Sequence, residues 1–516
     1  MASSLAHRTI RGIAWTLPTS LGSRAVGLVG TLILVRYLAP AEYGEVAAAG
    51  IATMAAGSLT TFGVGIFLVS TPDVSRAEVF HATCWFLATG VAALAVLWGL
   101  SGPIGAWSGA PGLERFVPLF VLSTLLDRVV YLPERMLVRQ LRFRRISLAG
   151  AFADLAYTGV SLAGAALGAG AVAIAWGNLA RSSLRFAALV PAVEWREWLE
   201  PHRLRLATMA RIVGYGVNVS MASIPTFAMR RLDNLLVSRY FGPGVMGAYN
   251  YAYNLADTPA VAIGEQIGDV VGASFPHMGR EERAAALVRA CAGISLVMFP
   301  LAFGLAAVAP TVVQTFFDQR WPGIGTMLLV LSVLSAARPV ALLLTSYLYA
   351  CQRPRVVLWL EWLSFVALIG AISTVGRIGT TWTCGSVGAV FVLRTLLGMW
   401  MVRRLDGIPM SSFLLPLARP LVVCVAMAAA IVLLRPPLLG LPPAARLLIE
   451  VALGGAVYLG GVLVIFPSSS REIIDGVRSA LVRSAVPSPA GPGGLPAGAG
   501  PAPLDQGGEC RIRSRS

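Results

Sequence analysis

Apolar stretches follow one another along most of the chain, separated by short segments rich in Arg, Pro and Gly. Because a helix needs about 20 apolar residues to cross the hydrocarbon core of a bilayer, this pattern predicts an all-α integral membrane protein with about fourteen transmembrane helices. The predicted spans are 10–35, 43–69, 79–100, 116–137, 146–168, 169–191, 210–237, 245–275, 285–309, 324–350, 355–376, 383–402, 413–435 and 445–466.

A short motif occurs twice and indicates that the chain is built from two related halves. RYLAPAEYG at Arg36–Gly44 matches RYFGPGVMG at Arg239–Gly247, and each copy follows one apolar stretch and opens the next. We therefore predict a six-helix bundle over 1–200, a second six-helix bundle over 201–408 and two additional helices over 409–467. An even number of helices per half makes the repeats parallel, with a cavity between the bundles, as in alternating-access transporters.

The composition excludes a soluble protein, because 56% of the residues are hydrophobic and only 13% are charged. The mean hydropathy is +0.73. From Pro467 onward the hydrophobicity is lost, and we expect 468–516 to be a disordered cytoplasmic tail. Most arginines fall on one set of alternate connections, so the positive-inside rule places both termini in the cytoplasm. The opposite set of connections carries only Arg36, Arg115, Arg239, Arg320, Arg377, Arg435 and Arg446.

Charged residues also occur inside the predicted helices. Each arginine would cost roughly 2.5–3.5 kcal/mol at the bilayer centre, so most must face a wet interior or lie near a helix end. Arg128 and Arg419 are placed to snorkel to an interface. The arginines are Arg24, Arg128, Arg181, Arg185, Arg230, Arg231, Arg338, Arg394 and Arg419, and the acidic residues are Asp127, Asp154, Asp233, Asp257, Glu265, Asp269 and Glu361.

Two interpretations of these charges remain open. In the first, they form ion pairs that hold the helices in register, and Arg230 and Asp233, three residues apart, share a helix face. In the second, an excess of guanidinium groups binds an anionic cargo, because the planar fork of Arg donates two hydrogen bonds to phosphate and stays charged. Some carboxylates would then carry a coupling proton or Na+, with Asp233, Asp257 and Glu265 as candidates.

Three segments resemble the oligosaccharide and polysaccharide flippases of the MOP exporter superfamily. They are RTIRGIAWTLPTSLGSRAVGLVGTLILVRYLAPAEYGEVA, PERMLVRQLRFRRISLAGAFADLAYTGVSLAGAALGAGAVAIAWGNL and RRLDNLLVSRYFGPGVMGAYNYAYNLADTP, and the resemblance covers roughly residues 8–400. It implies a V-shaped pair of bundles like that of the multidrug and toxin extruders, in the bacterial inner membrane. It also implies a cargo of undecaprenyl-pyrophosphate-linked oligosaccharide for exopolysaccharide, capsule or O-antigen synthesis. The implied partners are glycosyltransferases, a polymerase and export machinery.

The same resemblance suggests which arginines contact the cargo. Basic residues in the first and seventh helices are typical of the family, and here these are Arg24, Arg230 and Arg231. We extend the anion-binding role to Arg338 and Arg394. No cofactor or nucleic acid is expected, and the four histidines are too scattered in the sequence to indicate a metal site.

Other functions stay open as alternatives. A lipid II flippase differs only in the glycan, and a multidrug extruder is disfavoured by the cationic cavity. A membrane polymerase or ligase acting on lipid-linked sugars needs a catalytic platform outside the membrane, whereas every predicted outer loop is short. We find no Ser/His/Asp set, metal cluster or phosphate-binding loop, and therefore expect a transporter and not an enzyme.

Overall fold

The computed structural model describes residues 22, 26–61, 63–70, 74–140, 142–275, 278–321 and 323–465. Within these residues all regular secondary structure is helical. The helices are residues 26–34 (α1), Pro40–Leu59 (α2), Val64–Ser70 (α3), Arg76–Gly99 (α4), Ser101–Ser108 (α5), Val117–Arg139 (α6), Phe143–Ala166 (α7), Val172–Leu189 (α8), Trp195–Trp198 (α9), Leu206–Phe241 (α10), Pro243–Ser274 (α11), Arg280–Phe316 (α12), Ile324–Ser335 (α13), Ala337–Ala350 (α14), Pro354–Thr374 (α15), Thr380–Asp406 (α16), Ser411–Leu434 (α17) and Pro443–Ile465 (α18).

The predicted spans from residue 43 onward agree with these helices to within seven residues at either end, and the largest difference is at α12. Two spans are also interrupted. The span 43–69 is divided into α2 and α3, and the span 324–350 into α13 and α14. In the described part of the chain, eight helical stretches are long and apolar enough to cross a membrane. They are α4, α7, α12, α13 with α14, α15, α16, α17 and α18. The total of fourteen crossings stays a prediction.

Four helices outside that set, α6, α8, α10 and α11, carry charged or amide side chains well inside the helix. Helices α17 and α18 instead expose large apolar residues such as Val422, Leu433, Leu448 and Val464. A helix with a long apolar exposed surface fits a lipid environment, whereas polar mid-helix positions must face protein or water. Among these polar helices, α6 packs against α8, and α10 packs against α11.

The described chain up to Gly461 forms one compact unit. Each half has its own apolar core: Val64, Phe86 and Leu132 belong to that of the first half, and Met298 and Tyr347 to that of the second. The halves contact each other mainly where α2 packs against α11. The domain boundaries at residues 200, 408 and 467 stay predictions.

Arg128 does not snorkel, and that expectation is wrong. Its side chain is buried in the first half, where it donates to the carbonyl oxygens of Gly57 at 2.6 Å and Phe86 at 3.0 Å. Its guanidinium also lies 4.6 Å from the centroid of the Phe86 ring. Gly90 makes room for it, since any Cβ there would collide with the guanidinium. Backbone carbonyl oxygens of α2 and α4 thus bind the Arg128 guanidinium inside the first half.

Candidate functional site

Arg338 of α14 is held by side chains of α11 and α16. It forms an ion pair with Asp257 and donates to the Tyr253 hydroxyl at 2.7 Å. Tyr253 and Asp257 lie one turn apart on α11, so both reach the same guanidinium. The ring of Phe391 covers that guanidinium at 3.8 Å from its centroid. With 11% of its side chain exposed, Arg338 is fixed in position and remains charged beside its carboxylate.

Arg394 of α16 has a similar environment. It forms an ion pair with Glu361 of α15, whose side chain is 7% exposed, and donates to the Thr345 hydroxyl at 3.2 Å. Both bonds use the Nη2 atom. The Nε–H is buried without an acceptor in the described structure. Arg394 therefore keeps donor capacity that its protein partners leave unused.

These two arginines share one cavity with Arg230, here called the second-half cavity. Its volume is about 230 Å³, and Asp257, Glu361 and Tyr349 also line it. Three of the five arginines predicted to bind cargo are thus brought together from α10, α14 and α16. In the sequence Glu361 stands out only as an intramembrane charge, and its pairing with Arg394 is not predicted.

The remaining predicted residues lie elsewhere. Arg24 lies outside the described residues, and for Glu265 the structure describes the backbone of α11 but not the side chain. Arg231 is half-buried and is absent from the lining of the second-half cavity. In the described part of the chain it forms no ion pair.

Asp233 does not pair with Arg230, so the partner suggested by their spacing is wrong. Asp233 is fully buried and accepts hydrogen bonds from the Tyr249 hydroxyl at 2.6 Å and from the Asn234 amide groups at 2.9 Å. Asn234 in turn accepts from Asn250, which accepts from Tyr43 at 2.9 Å. This chain of polar groups links α10 and α11 of the second half to α2 of the first.

A second cavity, here called the first-half cavity, lies between α1, α2, α7, α8 and α11. Its volume is about 340 Å³, and Asp154 and Arg181 are the charged residues among its described lining residues. They form an ion pair at 3.0 Å. Nearby, Arg185 bridges Asp127 at 3.2 Å and Glu134 at 2.5 Å. The spacing of Arg181 and Arg185, one helical turn apart, was the sequence signal for this charged face of α8.

The repeated motif closes one end of the molecule, where α2 and α11 begin. Gly44 faces the Pro243 carbonyl group, and Gly247 reciprocally faces the Pro40 carbonyl group, both too closely for a side chain. We call the contact between Pro40–Gly44 and Pro243–Gly247 the closed end. Next to it the Tyr43 and Tyr251 rings stack at 4.0 Å and Trp321 packs edge-on against both.

The two arginines of the motif also form hydrogen bonds between the halves. Arg36 donates to the carbonyl oxygen of Thr315 at 2.7 Å, and Arg239 donates to that of Trp107 at 2.8 Å. Thr315 lies one residue before the end of α12, and Trp107 one residue before the end of α5. The last carbonyl oxygens of a helix lack intrahelical hydrogen-bond donors. Each arginine therefore supplies a donor to the C-terminal end of a helix in the opposite half.

In the described residues no group of His, Cys, Asp and Glu is arranged to hold a metal ion. The five described cysteines are free thiols.

Comparisons with known proteins agree with this architecture. The chain is 24% identical over 496 residues to the succinoglycan biosynthesis transport protein ExoT of Rhizobium meliloti, which covers 93% of this chain and 98% of ExoT. It is 24% identical over 353 residues to the lipopolysaccharide biosynthesis protein WzxC of Escherichia coli, covering 68% of this chain and 71% of WzxC. The teichuronic acid biosynthesis protein TuaB of Bacillus subtilis is 22% identical over 482 residues, 91% of this chain and 98% of TuaB.

Solved structures share the fold at low sequence identity. The lipid II flippase MurJ in an inward closed conformation has a TM-score of 0.74 at 14% identity, covering 89% of this chain and 99% of MurJ. An inward-facing multidrug resistance MATE family transporter of the MOP superfamily has a TM-score of 0.57 at 15% identity, covering 77% of this chain and 98% of that transporter. The predicted all-α, MATE-like membrane fold is therefore confirmed.

A family model described as polysaccharide biosynthesis protein matches residues 33–325, which is more than half of the chain and includes both copies of the repeated motif. Among the relatives and structural neighbours, ExoT is named a transport protein, MurJ a flippase and the MATE family protein a transporter. The chain therefore belongs to the polysaccharide biosynthesis protein family.

Proposed function

We propose that the protein moves an undecaprenyl-pyrophosphate-linked oligosaccharide repeat unit from the cytoplasmic to the outer leaflet of the bacterial inner membrane by alternating access. The observation that carries this proposal is the convergence of Arg230, Arg338 and Arg394 on one cavity. Guanidinium groups bind phosphate oxygens through paired, charge-assisted hydrogen bonds. The relatives are named for succinoglycan, lipopolysaccharide and teichuronic acid biosynthesis, which supports a glycan as the transported part.

The ion pairs in the second-half cavity prepare it for an anion. Asp257 and Glu361 keep Arg338 and Arg394 charged and oriented while the cavity holds no cargo. A pyrophosphate group offers further acceptors to the unused donors, above all the Nε–H of Arg394. Protonation of Asp257 would release Arg338 to the cargo, so Asp257 remains our candidate for ion coupling, with Asp233 and Glu265 as the others.

Orientation and partners follow from the same proposal. Both termini lie in the cytoplasm, glycosyltransferases build the repeat unit on that side, and a polymerase and export machinery receive it on the other. The proposed organisation keeps the two bundles over 1–200 and 201–408, the extra helices over 409–467 and the tail over 468–516.

Cells that lack the gene test the function directly. Lipid-linked repeat units should accumulate on the cytoplasmic face, and the wild-type gene should restore polysaccharide export. Normal export without the protein, in a strain with no other flippase gene, would contradict the proposal.

A charge-neutral exchange separates cargo binding from structural pairing. In the double variant Arg394→Gln, Glu361→Gln no charge is left unpaired, so the protein should reach the membrane, yet export should fall. The matched control is Arg435→Gln, Glu450→Gln, which removes the ion pair between α17 and α18 at 2.9 Å outside both cavities. Export at wild-type level in the Arg394/Glu361 variant would make this pair structural and withdraw Arg394 from the cargo site.

A further inference from the structure

The first-half cavity has a different chemical character from the cationic second-half cavity. The two lie on different faces of α11: Asn254 and Thr258, one turn apart, line the first-half cavity, whereas Asp257 lines the second-half cavity. Among the described lining residues of the first-half cavity one arginine is balanced by one aspartate, and the other polar groups are hydroxyls and an amide. Its ligand is therefore expected to be polar but not anionic.

One wall of this cavity carries a buried hydroxyl that lacks a partner. Tyr251 is 3% exposed, and its Oη forms no hydrogen bond within the described structure. The neighbouring Tyr43 hydroxyl donates to Asn250 at 2.9 Å, whereas the indole N–H of Trp321 in the same aromatic cluster also lacks an acceptor in the described structure. Nearly all buried polar groups in proteins are hydrogen-bonded, so a ligand hydroxyl in the cavity that Tyr251 lines would supply the partner that it lacks.

Other lining groups also have unused capacity. The half-buried Tyr157 hydroxyl has no hydrogen-bond partner among the described residues. The ion pair between Asp154 and Arg181 uses Oδ1 and Nη2, and the structure gives Oδ2 of Asp154 no partner in the described chain. The cavity thus presents an acceptor, several donors and three tyrosine rings together.

This combination suits a sugar better than a phosphate or an apolar molecule. A sugar hydroxyl both donates and accepts hydrogen bonds, so it needs carboxylate acceptors beside guanidinium and phenol donors. The apolar face of a sugar ring packs on aromatic rings, which contribute large contact areas with a polar edge. A volume of about 340 Å³ falls in the range of small-molecule sites, roughly 300–1,000 Å³.

We propose that the first-half cavity is a sugar-binding subsite that holds a glycan residue of the cargo while the pyrophosphate lies in the second-half cavity. This inference rests on the proposed function. The subsite, lined by α1, α2, α7 and α8 of the first half and by α11 of the second, would discriminate between glycans. The second-half cavity would bind the lipid pyrophosphate that all such cargoes share.

Binding of two probes by the purified full-length protein tests the subsite. One probe is lipid-linked oligosaccharide extracted from the deletion strain, and the other is undecaprenyl pyrophosphate without sugar. Tyr251→Phe and Tyr157→Phe each remove only a hydroxyl that has no partner among the described residues, so the melting temperature should not change. Each variant should bind the oligosaccharide probe about 2- to 12-fold more weakly, as for one lost hydrogen bond, and bind undecaprenyl pyrophosphate as before.

The matched control is Tyr458→Phe, because that hydroxyl donates to the Leu296 carbonyl oxygen at 2.7 Å outside the cavity. It should leave the affinity for both probes unchanged. Unchanged oligosaccharide binding in both cavity variants overturns the subsite, as does equal weakening for both probes. A wild-type protein that binds neither probe refutes the proposed function itself, which distinguishes that failure from failure of the subsite alone.

Discussion

Replacement of Gly44 by Ala should force the two halves apart at the closed end. A Cβ at residue 44 would lie 2.6 Å from the carbonyl carbon of Pro243 and 3.0 Å from its Cα. The reciprocal Cβ at Gly247 would lie 3.3 Å from the carbonyl carbon of Pro40. Since non-bonded carbon atoms rest about 3.5–4.0 Å apart, α2 and α11 must separate by roughly 1 Å where they begin.

The cost of this crowding determines the size of the effect. Overpacking a close contact costs about 1–3 kcal/mol. A conformation in which the closed end has separated avoids that cost, so the ratio of open to closed molecules should rise about 5- to 150-fold. Gly44 lies inside α2, and Ala is favoured over Gly in a helix by about 1 kcal/mol. The helix itself is therefore not weakened by the change.

Distances between spin labels at residues 37 and 378 measure the separation. Tyr37 and Ile378 are exposed, at 49% and 71%, and lie in different halves. With the native cysteines replaced, double electron–electron resonance should show a longer distance population in Gly44→Ala and in Gly247→Ala. The control is Gly159→Ala in α7, where a Cβ meets no atom within 4 Å. Coincident distance distributions in Gly44→Ala, Gly159→Ala and the parent would refute the role of the glycine contact.

Four further outcomes are expected. Arg338→Lys should keep part of the export activity because the charge remains, whereas Arg338→Ala should abolish it, as measured by surface polysaccharide at matched protein levels. Glu450→Ala should lower stability by about 3 kcal/mol, because it leaves Arg435 without its carboxylate; an unchanged melting temperature would contradict this. A reporter fused after Arg145 should be accessible only from the cytoplasm. Truncation at Pro487 should leave export intact in protein that reaches the membrane.

The helices were predictable because bilayer thickness imposes their length, but the breaks within them were not. The span 324–350 divides after Ser335, and Pro339 explains why: it lacks the N–H that would bind the Ser335 carbonyl. The span 43–69 divides near Gly63, which has a φ of +59°. Both residues are visible in the sequence, yet hydropathy averaged over a whole span conceals a local interruption.

The candidate site was predictable in its residue types and only partly in its pairings. Spacing along one helix suggested that Arg230 pairs with Asp233, but the observed pairs join different helices, as Arg338 with Asp257 and Arg394 with Glu361 show. Buried ionic groups take partners from whichever helix packs beside them, and no sequence interval encodes that neighbour. The orphan hydroxyl of Tyr251 likewise became visible only when its surroundings were known.

The repeated motif explains how the closed end can be specific and still reversible. Arg36 and Arg239 are exposed, and each completes a helix terminus of the other half, an interaction that contributes only about 0.3–1 kcal/mol at the surface. The reciprocal approach of Gly44 and Gly247 defines the geometry without adding a strong bond. Each contact in one copy of the motif has an equivalent in the other copy, so separation of the halves breaks both arginine hydrogen bonds and both glycine contacts. A closure made of several weak, matched contacts has one well-defined arrangement and can still be opened by the binding energy of a cargo.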